Sequence, residues 1–132
     1  MKTGIWIDKD KAHVVTIVSD KVNFNTIYSN IEHFHVHGGS GTRFKGGPQD
    51  VVQDSKYLRR ENQQLKEYFK EIALKIKGTE ALVIYGPSDT NQKFREELGI
   101  NYKDLSRVVQ AVIKADSMTD NQVKALVKAY FD

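Results

Sequence analysis

The chain lacks several features that would assign a protein class at once. It has no cysteine among its 132 residues, which excludes disulfides and thiolate metal sites. No apolar run approaches the roughly 20 residues of a membrane-spanning helix. The start, "MKTGIWIDKD", becomes acidic too early for a secretory signal, so a cytoplasmic protein without a membrane partner is expected. The composition, 39% hydrophobic and 28% charged, is typical of one globular domain over residues 1–132.

Positive charge is concentrated in one part of the chain, although the net charge is only +3. Residues 43–78 contain nine Lys and Arg against five Asp and Glu, whereas the two signs nearly balance before and after this segment. A local surplus of this kind favours a polyanionic partner. The alternative is that these side chains only form the solvated face of a helix.

The first third of the chain has the pattern of three short strands. "TGIWID", "AHVVTIV" and "VNFNTIYSNIEHFHVH" are rich in β-branched and aromatic residues and are separated by polar turns. This predicts an antiparallel meander, with a bend near Asn30 in its long third strand. Further along, the apolar "EALVIYGP" predicts a central strand covered on both faces, and "SRVVQAVIKA" predicts another strand.

Between the meander and "EALVIYGP" the pattern predicts a loop and then a long helix. Five of the nine glycines lie between Gly38 and Gly47, which predicts a loop over residues 38–50. Apolar residues then recur at helical spacing from about Ser55 to Lys77, and Gly78 is placed to end the helix. The buried stripe is predicted to contain Leu58, Leu65, Phe69, Ile72 and Ile76. Side chains off this stripe, namely Arg59, Lys66 and Lys70, are expected to face water.

Two shorter helices complete the predicted fold. One is expected over Ser88–Leu98, and the last follows an N-cap at Thr119 or Asp120. The order βββαβαβα predicts an α/β fold, with a mixed five-stranded sheet that is first antiparallel, then parallel, and covered by helices.

Three stretches together resemble a known family: "GIWIDKDKAHVVTIVSDKVNFNTIYSNI", "EALVIYGPSDTNQKFREEL" and "VIKADSMTDNQVKAL". They are similar to the middle domain of the archaeal and eukaryotic class 1 peptide-chain release factors and of the ribosome-rescue protein Pelota. The chain looks like a bacterial stand-alone relative of that domain. The resemblance implies a ribonuclease H-like outline, and a ribosome, rRNA or tRNA partner in termination or rescue.

The glycine-rich segment is the place where this family carries its hydrolytic motif. In release factors the corresponding loop contains Gly-Gly-Gln and helps to place the water that hydrolyses peptidyl-tRNA. Here the sequence is Gly46-Gly47-Pro48-Gln49, and the proline removes a backbone donor and fixes φ near −65°. Gln49 is the catalytic candidate, but the interrupted pattern leaves enzymatic activity undecided.

The RNA-binding surface implied by the resemblance combines the loop with the start of the long helix. Its contacts would be mainly electrostatic. The candidate residues are Arg43, Lys45, Gly46, Gly47, Gln49, Lys56, Arg59 and Arg60.

Three alternating histidines, His33, His35 and His37, suggest a second type of site. Histidines two apart can bind one divalent metal ion, but the outer pair of a straight strand lies roughly 13 Å apart. A metal site would therefore need a bend, or two of them plus His13, Glu32 or Asp8. The alternatives are a solvated sheet face or an extension of the basic surface.

Two aspartates lie at the first turn. Asp8 and Asp10 could suggest a nuclease, but a hairpin turn accounts for both. No cofactor is expected, apart from that divalent metal. The alternative functions are a metal-dependent hydrolase on the histidine strand and a protein-interaction module without RNA.

Overall fold

The computed structural model describes residues 1–31, 47–87 and 89–132, and over residues 47–58 it describes the helical backbone. No described helix is long and apolar enough to span a bilayer. The strands are β1 (Lys2–Ile7), β2 (Lys11–Val18), β3 (Lys21–Tyr28), β4 (Ala81–Gly86) and β5 (Val109–Lys114). The helices are α1 (Gly47–Lys75), α2 (Asp89–Asn101), α3 (Lys103–Ser106) and α4 (Asp120–Phe131).

The strands form one five-stranded sheet in the order β3-β2-β1-β4-β5. β1 pairs antiparallel with β2 and β2 with β3, whereas β4 is parallel to both β1 and β5. All six residues of β4 are buried, because the strand is central and helices cover both of its faces. The predicted mixed α/β sheet is therefore confirmed.

The two faces of the sheet form separate cores because side chains alternate along each strand. Ile5 and Ile7 of β1 point to one face and pack with buried residues of α1 and α2, such as Ile72 and Phe94. Trp6 points to the other face and packs with residues of α4. Helices thus sandwich the sheet in three layers.

The long helix begins earlier than the sequence predicted. It starts at Gly47 rather than near Ser55, so Gly47, Gln49 and Lys56 lie within α1 and the predicted loop to residue 50 was too long. Pro48 did not prevent this, because proline fits the first turn of a helix, where its missing N–H has no intrahelical partner. The predicted buried stripe holds for Leu65, Phe69, Ile72 and Ile76.

The end of α1 and the end of β3 both involve residues with positive φ. Gly78, predicted to terminate the helix, has φ 89° and lies three residues beyond Lys75. Asn30, near which a bulge or bend was predicted, has φ 54°, a left-handed backbone conformation. β3 itself ends at Tyr28, and the continuation predicted through His37 lies beyond residue 31, outside the described residues.

Candidate nucleic-acid interface

The outer face of α1 carries a row of cations: Arg59, Lys66 and Lys70. They are seven and four residues apart, so helical geometry places them within about 40° of one another. The row extends over ~16 Å at 1.5 Å per residue. All three side chains are exposed, whereas the apolar stripe of the helix is buried against the sheet. We call these three residues the cation row.

Within the described part of the chain, no carboxylate forms an ion pair with a member of the cation row. Glu61 of α1 is engaged by Lys9, whose Nζ lies 2.8 Å from its Oε2. This pair also ties the β1–β2 turn to α1. The row is therefore a set of exposed positive charges that have no ion-pair partner among the described side chains.

Only part of the predicted RNA-binding surface can be compared with the structure. Arg59 and Arg60 are both exposed on α1, as expected, whereas Gly47, Gln49 and Lys56 are placed only by the helical backbone. Arg43, Lys45 and Gly46 lie outside the described residues, as do His33, His35 and His37. The catalytic and metal hypotheses at these positions thus stay predictions.

Sequence reasoning left Lys66 and Lys70 out of the candidate site. Both had been assigned to the water-facing side of the helix, but their alignment with Arg59 was not used. The signal was present in the spacing of the three residues, which repeats the helical period on the side away from the apolar stripe.

The two aspartates of the first turn act as turn residues. Asp8 Oδ1 accepts hydrogen bonds from the backbone N–H groups of Asp10 and Lys11, at 2.8 and 2.9 Å. The buried Tyr68 hydroxyl donates to the Asp8 carbonyl oxygen at 3.1 Å, and burial raises the pKa of this phenol. Among the described side chains, residues 1–31, 59–87 and 89–132, no three His, Asp or Glu are grouped so as to hold a metal ion. The hairpin interpretation accounts for these contacts.

The turn after β4 does not resemble a phosphate-binding turn. The Gly86 carbonyl oxygen accepts from Asn91 Nδ2 at 3.3 Å and from the Ala115 backbone N–H at 2.9 Å. Asp89 brings negative charge to the first turn of α2, where a phosphate would otherwise be stabilised. The cation row therefore remains the better anion-binding candidate.

His13 is a buried imidazole on the opposite face of the sheet, with 5% of its surface exposed. Its Nδ1 lies 3.0 Å from Thr26 Oγ1, and its ring lies between those of Trp6 and Phe24. Burial lowers its pKa, and the Asp120 carboxylate, 3.9 Å from Nε2, acts in the opposite direction. These contacts give His13 a packing role in the core.

Comparison with known proteins establishes the fold. No protein-family model matches the chain, and no curated protein matches it significantly. A crystal structure of an archaeal translation termination factor, aRF1, superimposes with a TM-score of 0.57 at 8% identity, covering 98% of this chain and 38% of that one. A structure described as an archaeal protein gives a TM-score of 0.56 at 12% identity, covering 97% of this chain and 33% of that one.

The fold is therefore release-factor-like, as the resemblance in the sequence had predicted. At such low identities the likeness concerns the fold, because unrelated functions can occupy one fold. This chain spans well under half the length of either neighbour.

Proposed function

We propose that this chain is a translation-associated domain that contacts ribosomal RNA or tRNA. The observation that carries the proposal is the cation row, three exposed charges that no described carboxylate neutralises, on a release-factor-like fold. The basic segment before α1, with Arg43 and Lys45, would extend the same contact along the chain.

Electrostatics gives this interface its expected behaviour. Lys and Arg on a helix surface bind phosphates by displacing condensed counterions, so affinity falls steeply as salt increases. Three cations in a row follow a phosphate backbone without reading its bases, which suits recognition of RNA by shape and charge. The expected binding is therefore salt-sensitive and only weakly dependent on sequence.

The proposal also assigns a step of translation to this RNA contact. We assign the chain to termination or ribosome rescue, as a bacterial relative of the corresponding domain of release factors and Pelota. RNA contact does not require hydrolysis of peptidyl-tRNA. For a hydrolytic activity, the catalytic candidate is Gln49, in the first turn of α1. The histidine-based metal hydrolase remains the alternative proposal.

The test reverses the charges of the cation row while keeping the fold. Purified ribosomes from the source organism are pelleted with the wild-type chain, with Arg59→Glu/Lys66→Glu/Lys70→Glu, or with the control Lys21→Glu/Lys93→Glu/Lys114→Glu. Both triple variants change the net charge equally, but the control residues are scattered over β3, α2 and β5. At low salt we expect the row variant to bind at least about tenfold more weakly, and the control to stay close to wild type.

A salt titration adds a second readout. The slope of log affinity against log salt is negative. Removing three phosphate contacts should make it shallower by ~2, at about 0.7 per contact. Equal pelleting of the two triple variants, or an unchanged slope, would contradict the proposal. Circular dichroism checks that both variants keep the wild-type helix content.

A further inference from the structure

A groove lies between the C-terminal end of α1 and the region where α2 ends and α3 begins. It has a volume of about 550 Å³, and its floor includes the buried Ala73 and Leu105 and the half-buried Tyr102. Leu74 and Ile100 line the groove with 62% and 68% of their surfaces exposed. Two large aliphatic side chains in one concave site form an exposed apolar patch of the kind that marks a binding surface.

Two of the three charged side chains in the groove lining are cations. Lys77 and Lys103 line it and are exposed, and neither forms an ion pair with any described carboxylate. Asp104, the acidic residue of the lining, is already engaged, because its Oδ1 lies 3.1 Å from Arg107 Nη1. A ligand of this groove therefore meets an apolar centre and two positive charges.

This combination distinguishes the groove from the cation row. Single-stranded RNA is bound by exposed aromatic side chains that stack on bases. The two exposed apolar side chains of this groove, Leu74 and Ile100, are aliphatic, and its aromatic residue, Tyr102, is half-buried against the core. Apolar grooves with charged edges are the usual receptors for amphipathic helices of partner proteins. We propose that this groove binds an acidic amphipathic segment of a partner protein. Its apolar side chains would pack between Leu74 and Ile100, and its carboxylates would reach Lys77 and Lys103.

Charge complementarity favours a partner of that kind over a second copy of this chain. In a two-fold dimer the same patch faces itself, so a lining with two lysines and one aspartate meets a second lining of the same net positive charge. Like charges placed together across an interface are unfavourable. The inference goes beyond RNA contact, since it concerns a different surface and a different class of ligand.

The test uses two synthetic peptides and the full chain. Both peptides are helices of about 14 residues with leucines at i, i+3, i+4 and i+7, flanked by glutamates in one peptide and by lysines in the other. Methyl resonances of Leu74 and Ile100 report binding at the groove. The acidic peptide should shift these resonances and bind at least tenfold more tightly than the basic peptide.

Charge reversal supplies the decisive variant. Lys77→Glu/Lys103→Glu should weaken the acidic peptide at least tenfold and invert the preference between the two peptides. The control Lys93→Glu/Lys114→Glu, with the same change in net charge away from the groove lining, should keep the wild-type preference. Leu74→Ser/Ile100→Ser should also lose at least tenfold in affinity, and both side chains are exposed enough for this variant to fold.

Several outcomes would overturn the proposal. These are an absence of methyl shifts with the acidic peptide, equal affinity for both peptides, and shifts of the same methyls by an RNA oligonucleotide. Sedimentation that shows a wild-type dimer lost on Leu74→Ser would identify a second copy as the occupant. Ribosome pelleting of the groove variants keeps this result separate from the proposed function, because the cation row is intact in them.

Discussion

The two helical layers of this protein use their surfaces differently. On the α4 side, contact with the sheet leaves no spare room at β1, since a Cβ atom on Gly4 would overlap the side chain of Val127. On the α1 side, the helix buries a full apolar stripe but also holds outward the cation row and, at its end, the exposed Leu74. The comparison indicates that α4 mainly closes the core, whereas α1 closes it and also carries exposed charged and apolar side chains.

The largest expected effect comes from filling the space at Gly4. Gly4→Ala places a methyl group where Val127 is packed, and Val127 is fully buried, so it has little freedom to move. Overpacking of this kind costs about 1–3 kcal/mol of the free energy of unfolding. Urea denaturation measures it, and Leu74→Ser on the other layer should change stability by less than about 0.5 kcal/mol.

A double variant shows whether the clash is the cause. Gly4→Ala/Val127→Ala removes the overlapping methyl groups, so the two changes should couple favourably rather than add. If the double variant loses as much free energy of unfolding as the two single variants together, the tight contact between α4 and β1 does not explain the effect of Gly4→Ala. If Leu74→Ser proves as costly as Gly4→Ala, the comparison between the layers fails.

A smaller effect is expected from pH, again on the α4 side. Burial lowers the pKa of His13 below its ordinary value of 6.5, with Lys11 acting in the same direction and Asp120 and Asp8 in the opposite one. The unfolded chain therefore binds the proton more readily than the folded chain. The contribution of the neutral His13 to the free energy of unfolding is fully present above about pH 6.5. It is lost as the pH falls through the lowered pKa of the folded state.

The measurement compares wild type with His13→Asn across that window. Asparagine does not titrate and can still reach the Thr26 hydroxyl, so the variant should show a shallower loss of unfolding free energy between pH 7.5 and pH 5. The difference between the two slopes isolates His13 from the other histidines of the chain. Parallel pH profiles would show that the buried imidazole contributes nothing to acid sensitivity.

Much of the fold could be predicted from sequence because its signals are local. The apolar runs of β1 and β4 are local signals of buried strands, and the stripe through Phe69 and Ile72 follows from one helical period and one buried face. The Thr119 cap is equally local, since its hydroxyl accepts from the Gln122 N–H in a capping box. The start of α1 was placed too late because glycine and proline were taken as loop signals without regard to the first turn.

The groove was harder to predict, because it depends on elements that are distant in sequence. The groove combines Leu74 of α1 with Ile100 of α2 and Leu105 of α3, and α3 was not predicted at all. The Lys9–Glu61 pair likewise joins a turn to a helix some fifty residues away. No periodicity reports such contacts, so which cations remain unpaired is known only after folding.

The smallest expected effect tests how far the α1 layer separates binding from stability. Glu61→Gln removes the carboxylate that engages Lys9, so the turn loses one partly exposed ion pair worth about 0.2–1 kcal/mol. The same change removes a negative charge near Arg59 and frees Lys9, so ribosome pelleting should increase modestly while the unfolding free energy declines slightly. Lys9→Gln is the matched control, because it breaks the same pair but removes a positive charge, and binding should then not increase. If the two variants change binding in the same direction, local charge on this layer does not govern the contact, and α1 resembles α4 in serving the core alone.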